Sequence, residues 1–359
     1  MRRFGWPRRG PRAALSVAAV AAVILSAAAC SSSGPKSVKV TGTGVAKASS
    51  PAATPAGGTG GSHLTFYMIT HACPSDTFWP PVFNGANAAA KAYGVTLHIV
   101  SLTSAQCGSI PAEVSNLQTA IGTHPDGIAV TIPSATAFSS ALKQAAAAGI
   151  PVVAVNTIPS GGSSAANPYL AYVGQSNYQA GVGAGKEAVS MFGLHAGDKV
   201  AVVDHEPFNI SLTQREQGIK AGLASAGIDP TDVNTSDDPS SGAATVQAYV
   251  TKNPNVKVLM SLGTIGTTQI VTGLKAASKS AQVKVSGFDL DSATVHYLQQ
   301  GVMGFTVNQQ PFLQGYYSVV ELYLHDRYGA QPEDISTGPA YLTSSNIKTL
   351  GKYVNETGY

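Results

Sequence analysis

Gly287-Phe288-Asp289 closes one apolar run late in the chain, Gln309-Gln310-Pro311 closes the next, and Gln314-Gly315-Tyr316 follows. The order reads strand, aspartate, helix, strand, glutamine, helix, which sets an acid and an amide at the ends of neighbouring strands. A carboxylate accepts from two hydroxyls, and a carboxamide both donates and accepts, so Asp289 and Gln309 suit a polyhydroxylated ligand in a cleft. Asp289 as a cap for a helix beginning near Ser292 is the plainer alternative. Phe78-Trp79 supplies complementary chemistry: flat aromatic area for the C–H face of a sugar ring, plus an indole N–H. These aromatics follow the first apolar run and precede a helix whose apolar face they need not serve; a core or helix-staple role is the other reading. Glu206 and Asn209, in Asp204-His205-Glu206-Pro207-Phe208-Asn209, could take hydroxyls from the opposite side or stand in a solvated loop. His71 suits a cleft hydrogen bonder as well as a structural imidazole, and Arg215 suits pairing with an acid rather than with ligand.

Catalytic signatures are weak. The chain has no Gly-x-Ser-x-Gly elbow, no His-Glu-x-x-His and no Cys-x-x-Cys. Asp76, Glu206 and Asp289 could form a carboxylate pair for glycoside hydrolysis, but they lie in separate segments and nothing marks one as the acid. Gly181-Val182-Gly183-Ala184-Gly185-Lys186 resembles a phosphate loop, yet Ala180 and Glu187 stand where its first Gly and its Ser/Thr belong. It reads better as a helix with a small packing face. His71 and Cys73 lack a second ligand pair for a metal. No enzyme, cofactor or metal is expected.

The elements that must position these residues alternate. Leu64–Ile69, Leu97–Val100, Ile128–Thr131 and Val152–Val155 read as strands, and Val82–Tyr93, Pro111–Ile121 and Ala135–Ala148 as the helices between them. After Tyr172-Val173-Gly174 a second round begins: strands Val200–Val203, Val256–Met260 and Val283–Val285, with helices Leu212–Ala226, Ala243–Thr251 and Ile265–Ala277. Short apolar strands without hairpin turns argue parallel sheets covered by helices on both faces. Two such rounds predict two lobes, with ligand-binding loops at the carboxyl ends of the strands.

At 359 residues the chain has room for about two domains. Arg2, Arg3, Arg8, Arg9 and Arg12 crowd its start, and taking these five from the formal +3 leaves −2, so the basic balance belongs to the leader. With 11% charged residues, no nucleic acid or other anionic partner is expected. The basic start, the apolar run Ala13–Leu25 and the small residues up to Ala29 read as a secretion signal (1–29). Ser26-Ala27-Ala28-Ala29-Cys30 resembles the lipobox of bacterial lipoproteins, which implies lipidation at Cys30 and a membrane anchor; plain secretion is the alternative. Residues 30–63, rich in Ser, Gly, Ala, Thr and Pro, read as a flexible tether. Cys73 and Cys107 each follow a strand, and neighbouring parallel strands would bring their loops together, so an exported chain favours a disulfide over two separate thiols.

Taken in order, Asp76-Thr77-Phe78-Trp79, His124-Pro125-Asp126-Gly127, Gly149-Ile150-Pro151-Val152-Val153, Asn156, Gly287-Phe288-Asp289 and Gln309 to Tyr316 resemble the periplasmic sugar-binding proteins of ABC importers, of the ribose- and galactose-binding type. The resemblance covers residues 64–345 or so. It implies a type I periplasmic-binding-protein-like α/β fold: two Rossmann-like lobes of parallel sheets flanked by helices, joined by a three-stranded hinge. The lobes would comprise 64–174 plus 310–338 and 175–309 plus 339–359, with crossings near Gly174–Asn177, Gln309–Gln310 and Gly338–Tyr341. Phe78 and Trp79 would stack on the sugar, and Asp76, Asn156, Asp289 and Gln309 would hold hydroxyls. Thr157 and Ile132 stand where ribose binders carry Arg and Asn, which counts against ribose itself. The implied function is capture of a sugar or polyol by an extracytoplasmic, monomeric protein and delivery to an ABC permease. A receptor lobe of a sensory system is the rival; a sugar-responsive transcription regulator would need a helix-turn-helix in place of the signal.

Overall fold

A computed structural model describes residues 63–357. The expected leader, Cys30 and the tether up to residue 62 lie outside the described residues. The first round runs β1 (Thr65–Ile69), α1 (Trp79–Tyr93), β2 (Thr96–Val100), α2 (Ile110–Gly122), β3 (Gly127–Val130), α3 (Ser139–Ala147), β4 (Val152–Val155) and β5 (Ala171–Gly174). The second runs α4 (Asn177–Phe192), β6 (Lys199–Asp204), α5 (Ile210–Ala224), β7 (Thr231–Asn234), α6 (Pro239–Lys252), β8 (Val256–Ser261), α7 (Thr264–Ala276), β9 (Lys284–Phe288), α8 (Ser292–Gln299) and β10 (Phe305–Asn308). The chain ends with α9 (Pro311–Tyr328), β11 (Ile335–Ser336), β12 (Ala340–Thr343) and α10 (Ile347–Thr357).

Two six-stranded sheets result, in the orders β11-β5-β4-β3-β1-β2 and β12-β10-β9-β8-β6-β7. The orders correspond strand for strand, so β1 matches β6 and β4 matches β9. Every pairing is parallel except β10 with β12. The central strands β3 and β4 are buried along their whole length, as strands covered by helices on both faces must be. The chain passes between the sheets after β5, after β10 and after β11.

The helix that begins after a crossing clasps the first helix of the lobe it enters: α4 packs on α5, and α9 on α1. Glycines permit the approach. A Cβ on Gly315 would collide with the Val82 carbonyl oxygen, and one on Gly181 with that of Arg215. The Gly181–Lys186 run is therefore the interior of α4, with Gly181 and Gly185 turned to α5 and Gly183 to Tyr341.

Element edges differ from the sequence expectation where prolines stand. Helix α1 starts at Trp79, with Pro80 and Pro81 in the first turn, where a missing N–H costs no helical bond. Helix α3 starts only at Ser139, because 134–138 forms turns. Cys73 and Cys107 form the expected disulfide, Cα to Cα 5.4 Å, since β1 and β2 are paired neighbours.

Candidate functional site

The loops at the carboxyl ends of both sheets face one another across a small shared space. From the first lobe come His71, two residues past β1, Asp76 and Phe78 in the β1–α1 loop, Trp79 opening α1, and Asn156 just past β4. From the second come His205, Glu206 and Asn209 between β6 and α5, Arg215 on α5, Thr264 opening α7, and Asp289 past β9. Gln309 lies at the crossing after β10. Each residue singled out from the sequence for the cleft thus lines this one space.

Two strand-end residues adopt left-handed backbone: Asn156 at φ 65° and Asp289 at φ 72°. Asn and Asp tolerate this region better than most residues, and both stand at matching places in the two sheets. Asp289 accepts from Gln309 Nε2 at 2.6 Å and pairs with the Arg215 guanidinium at 3.3 Å. It does not cap the next helix; Asp291 does, accepting from the Thr294 N–H at 2.7 Å. Arg215 is held from three further sides, by Asn177 Oδ1 (2.9 Å), the Leu262 carbonyl (2.6 Å) and the ring of Phe288 (4.9 Å).

The Gln309 amide is a joint. Its Oε1 accepts from Gln314 Nε2 (2.9 Å) and Asn156 Nδ2 (3.4 Å), while Gln314 also reaches Thr337 Oγ1 (3.2 Å). Residues beside all three crossings are hydrogen-bonded near this point, as Tyr172 Oη also donates to the Asn156 and Gln175 carbonyls.

Phe78 and Trp79 belong to the first lobe's hydrophobic core, 4% and 3% exposed, and to the cleft wall as well. The expectation that they need not serve the helix's apolar face is corrected: Trp79 is the first residue of α1, so its ring packs inward as the helix starts. Its edge meets His71 at 4.9 Å and Phe78 at 5.2 Å.

The lobes touch directly. Asn209 Nδ2 lies 3.1 Å from His71 Nε2, Thr264 Oγ1 donates to Asp76 Oδ1 at 3.1 Å, and the Ser211 and Thr157 hydroxyls are paired. The remaining cavity is about 20 Å³, enough for roughly one water, whereas small-molecule sites run to about 300 Å³ or more. A ligand larger than a water can enter only as the lobes part and these contacts break.

Burial sets the protonation pattern. Asp76 is pushed up to about 7 by burial, with Asp289 and Asp237 adding like charge. Glu206 is held well above the carboxylate range by burial and by Asp237. Burial, then Arg215, holds His71 and His205 down near 3, so both imidazoles are neutral. The site is rich in carboxyl groups, and its one guanidinium is already engaged. Among the described residues no group of three or more His, Cys, Asp or Glu is placed to hold a metal ion.

Sequence reading passed over His205 and Thr264. His205 had a usable signal, since it follows β6 as His71 follows β1. Thr264 had none: it reaches the site only because α7 starts beneath Asp76.

A periplasmic binding protein domain model matches residues 66–325. The chain is 30% identical over 262 residues to a xylose/arabinose-binding protein of Sulfolobus acidocaldarius, a match spanning 68% of this chain and 63% of that protein. A periplasmic sugar-binding protein of an ABC sugar transporter from Legionella pneumophila superposes with a TM-score of 0.71 at 32% identity, covering 77% of this chain and 100% of that one. A carbohydrate transporter from Acidothermus cellulolyticus, in complex with myo-inositol, gives 0.73 at 30% identity, over 82% and 98%.

Proposed function

The chain belongs to the periplasmic binding protein domain family, and from that premise we propose that it captures a neutral sugar or polyol between its lobes and delivers it to an ABC permease. One observation carries the reading: hydroxyl-binding side chains from strand ends of both sheets, with an aromatic wall at Phe78 and Trp79, converge on a single interlobe space. Asp289, paired with Arg215, accepts from ligand hydroxyls; the buried carboxyls Asp76 and Glu206 and the amides of Asn156, Asn209 and Gln309 both donate and accept. With Arg215 already paired to Asp289, the buried carboxyl groups offer an acidic ligand no free counter-charge, which favours a neutral one. The names of the relatives, which are binding proteins and transporters for pentoses, other sugars and inositol, support transport over sensing and catalysis.

The mechanism is hinge closure. Ligand contacts made with both lobes at once exist only in the closed form, and that difference in affinity drives closing. The chain crossings support taking 64–174 plus 310–338 as one lobe and 175–309 plus 339–359 as the other. The leader sequence supports export, with Cys30 as a lipid anchor and the following segment as a tether that lets a monomer meet its permease.

A thermal-shift screen of the purified chain against pentoses, hexoses, deoxysugars and cyclitols tests the reading. A ligand at 100 times its dissociation constant adds about 2.7 kcal/mol. The shift should vanish in Trp79→Ala and Gln309→Ala; a chain that no neutral sugar or polyol stabilises would refute the proposal.

A further inference from the structure

Behind His71, on the side away from the cleft, sits a carboxyl that no ligand can reach. Glu113, in the first turn of α2, and Thr131, just past β3, are both fully buried. The Thr131 hydroxyl donates to Glu113 Oε1. It accepts from the backbone N–H of His71 at 3.1 Å and faces ring Nδ1 at 3.0 Å. A hydroxyl has one proton and two lone pairs. With its proton on Glu113, Thr131 can only accept from Nδ1, so Nδ1 carries the ring proton and Nε2 is left a bare acceptor.

The other end of the chain of bonds requires the same direction. His71 Nε2 lies 3.1 Å from Asn209 Nδ2. That amide cannot be turned over, because its Oδ1 accepts the Ser211 N–H at 2.9 Å and its Nδ2 donates to Glu206 Oε2 at 2.8 Å. An NH₂ group needs an acceptor opposite it, and Nε2 supplies one only in the Nδ1–H tautomer. Burial keeps the ring neutral, so a single ring proton is being placed. Glu113 itself is held well above the carboxylate range by burial, and its Oε2 has no partner. A proton on Oε1 would reverse the chain of bonds, and the Asn209 end excludes it: with the His71 N–H and Nδ1–H filling both lone pairs of Thr131, Oε1 must accept and any proton on Glu113 sits on Oε2.

We propose that Glu113 is a positioning residue that fixes the tautomer of His71, so that the cleft presents imidazole Nε2 as an acceptor and selects a ligand with a free hydroxyl at that point. The ligand half of this rests on the sugar or polyol reading; the tautomer half does not. As the lobes part, Asn209 leaves Nε2, and a ligand hydroxyl is the donor that takes its place. A ligand methylated or deoxygenated at that hydroxyl forfeits the bond.

Long-range ¹H–¹⁵N spectra of the labelled full chain, without ligand, read the tautomer directly; His71→Gln identifies the signal by its loss. The expected result is a pyrrole-type Nδ1 and a pyridine-type Nε2. Glu113→Gln keeps an acceptor oxygen and should retain that pattern. Glu113→Met removes it; with Asn209 also cut back to Ala, so that no donor faces Nε2, the Thr131 proton turns to Nδ1 and the ring proton moves to Nε2. In Glu113→Met the dissociation constant for a bound sugar should rise about tenfold, one hydrogen bond's worth, and Glu113→Gln should restore it. An Nε2–H tautomer in the unmutated chain, or an unchanged tautomer in a folded Glu113→Met, Asn209→Ala double variant, overturns the proposal. Should Glu113→Met fail to fold, the spectrum of the unmutated chain still decides. A chain that binds no sugar yet shows Nδ1–H would sink the transport reading and leave this one standing.

Discussion

The two walls of the cleft are built alike and charged differently. Each lobe places a histidine within two residues of its first strand, His71 after β1 and His205 after β6. Each also places a left-handed Asx residue after a matching strand, Asn156 after β4 and Asp289 after β9. Around these common parts the first lobe supplies an indole beside the Asp76 carboxyl, and the second an aspartate locked to an arginine. The first wall adds a flat aromatic face, and the second adds a buried ion pair. The difference traces to the helix behind each wall: α1 opens with Trp79 packed into the core, whereas α5 turns Arg215 inward under Asp289.

The matched pair Asn156 and Asp289 gives the sharpest test, with glycine as the replacement because it accepts positive φ without strain. Asp289→Gly leaves the Arg215 guanidinium buried and unpaired, a loss of about 3–5 kcal/mol. Asn156→Gly strands only neutral groups, Gln309 and Gln314, and should cost about 1–3 kcal/mol. Chemical denaturation of both variants measures the pair; equal costs would dissolve the distinction between the walls.

The pH response separates the same two kinds of group. Asp76 holds its proton to about 7 in the folded chain against an ordinary 3.8. Between those values the folded state binds more protons, so stability falls as pH rises through that window. His71 and His205 act oppositely: held near 3 against 6.5, they remove stability as pH falls below 6.5. Asp76→Asn should therefore melt progressively higher than the unmutated chain as pH goes from 5 to 8. A gap that stays constant or narrows would contradict the assignment. The smallest effect belongs to the rim, where Thr77 Oγ1 donates to Asp291 at 2.7 Å between exposed residues. Thr77→Ala should change stability by about 0.5 kcal/mol or less, and a larger loss would mean that the rim, rather than the walls, holds the lobes together.

Much of this was legible because strand ends carry the site. Alternating apolar runs gave both rounds of strands and helices, and Asp289, Gln309, Phe78 and Trp79 stood at or just past run boundaries, where the carboxyl-end loops begin. Parallel pairing of the first two strands made the Cys73–Cys107 bond readable too. What stayed hidden needed three dimensions. Thr264 and Asp237 reach Asp76 and Glu206 from distant loops. Glu113 looks like an ordinary first-turn acid of α2 until Thr131 is found against it. The dual duty of Trp79, core and wall at once, depended on a helix start that two prolines shift earlier than periodicity suggests.

The central claim is a neutral polyhydroxylated ligand held between a wall bearing Phe78 and Trp79 and a wall bearing the Asp289–Arg215 pair. Calorimetric titration of the full chain with neutral pentoses, hexoses and cyclitols, alongside the matching uronic acids, addresses it most directly. The account predicts one-to-one binding of at least one neutral compound, with its acidic counterpart about tenfold weaker or more, a difference of about 1.4 kcal/mol. Tighter binding of a uronic acid, or no binding by any neutral sugar or polyol, would contradict it.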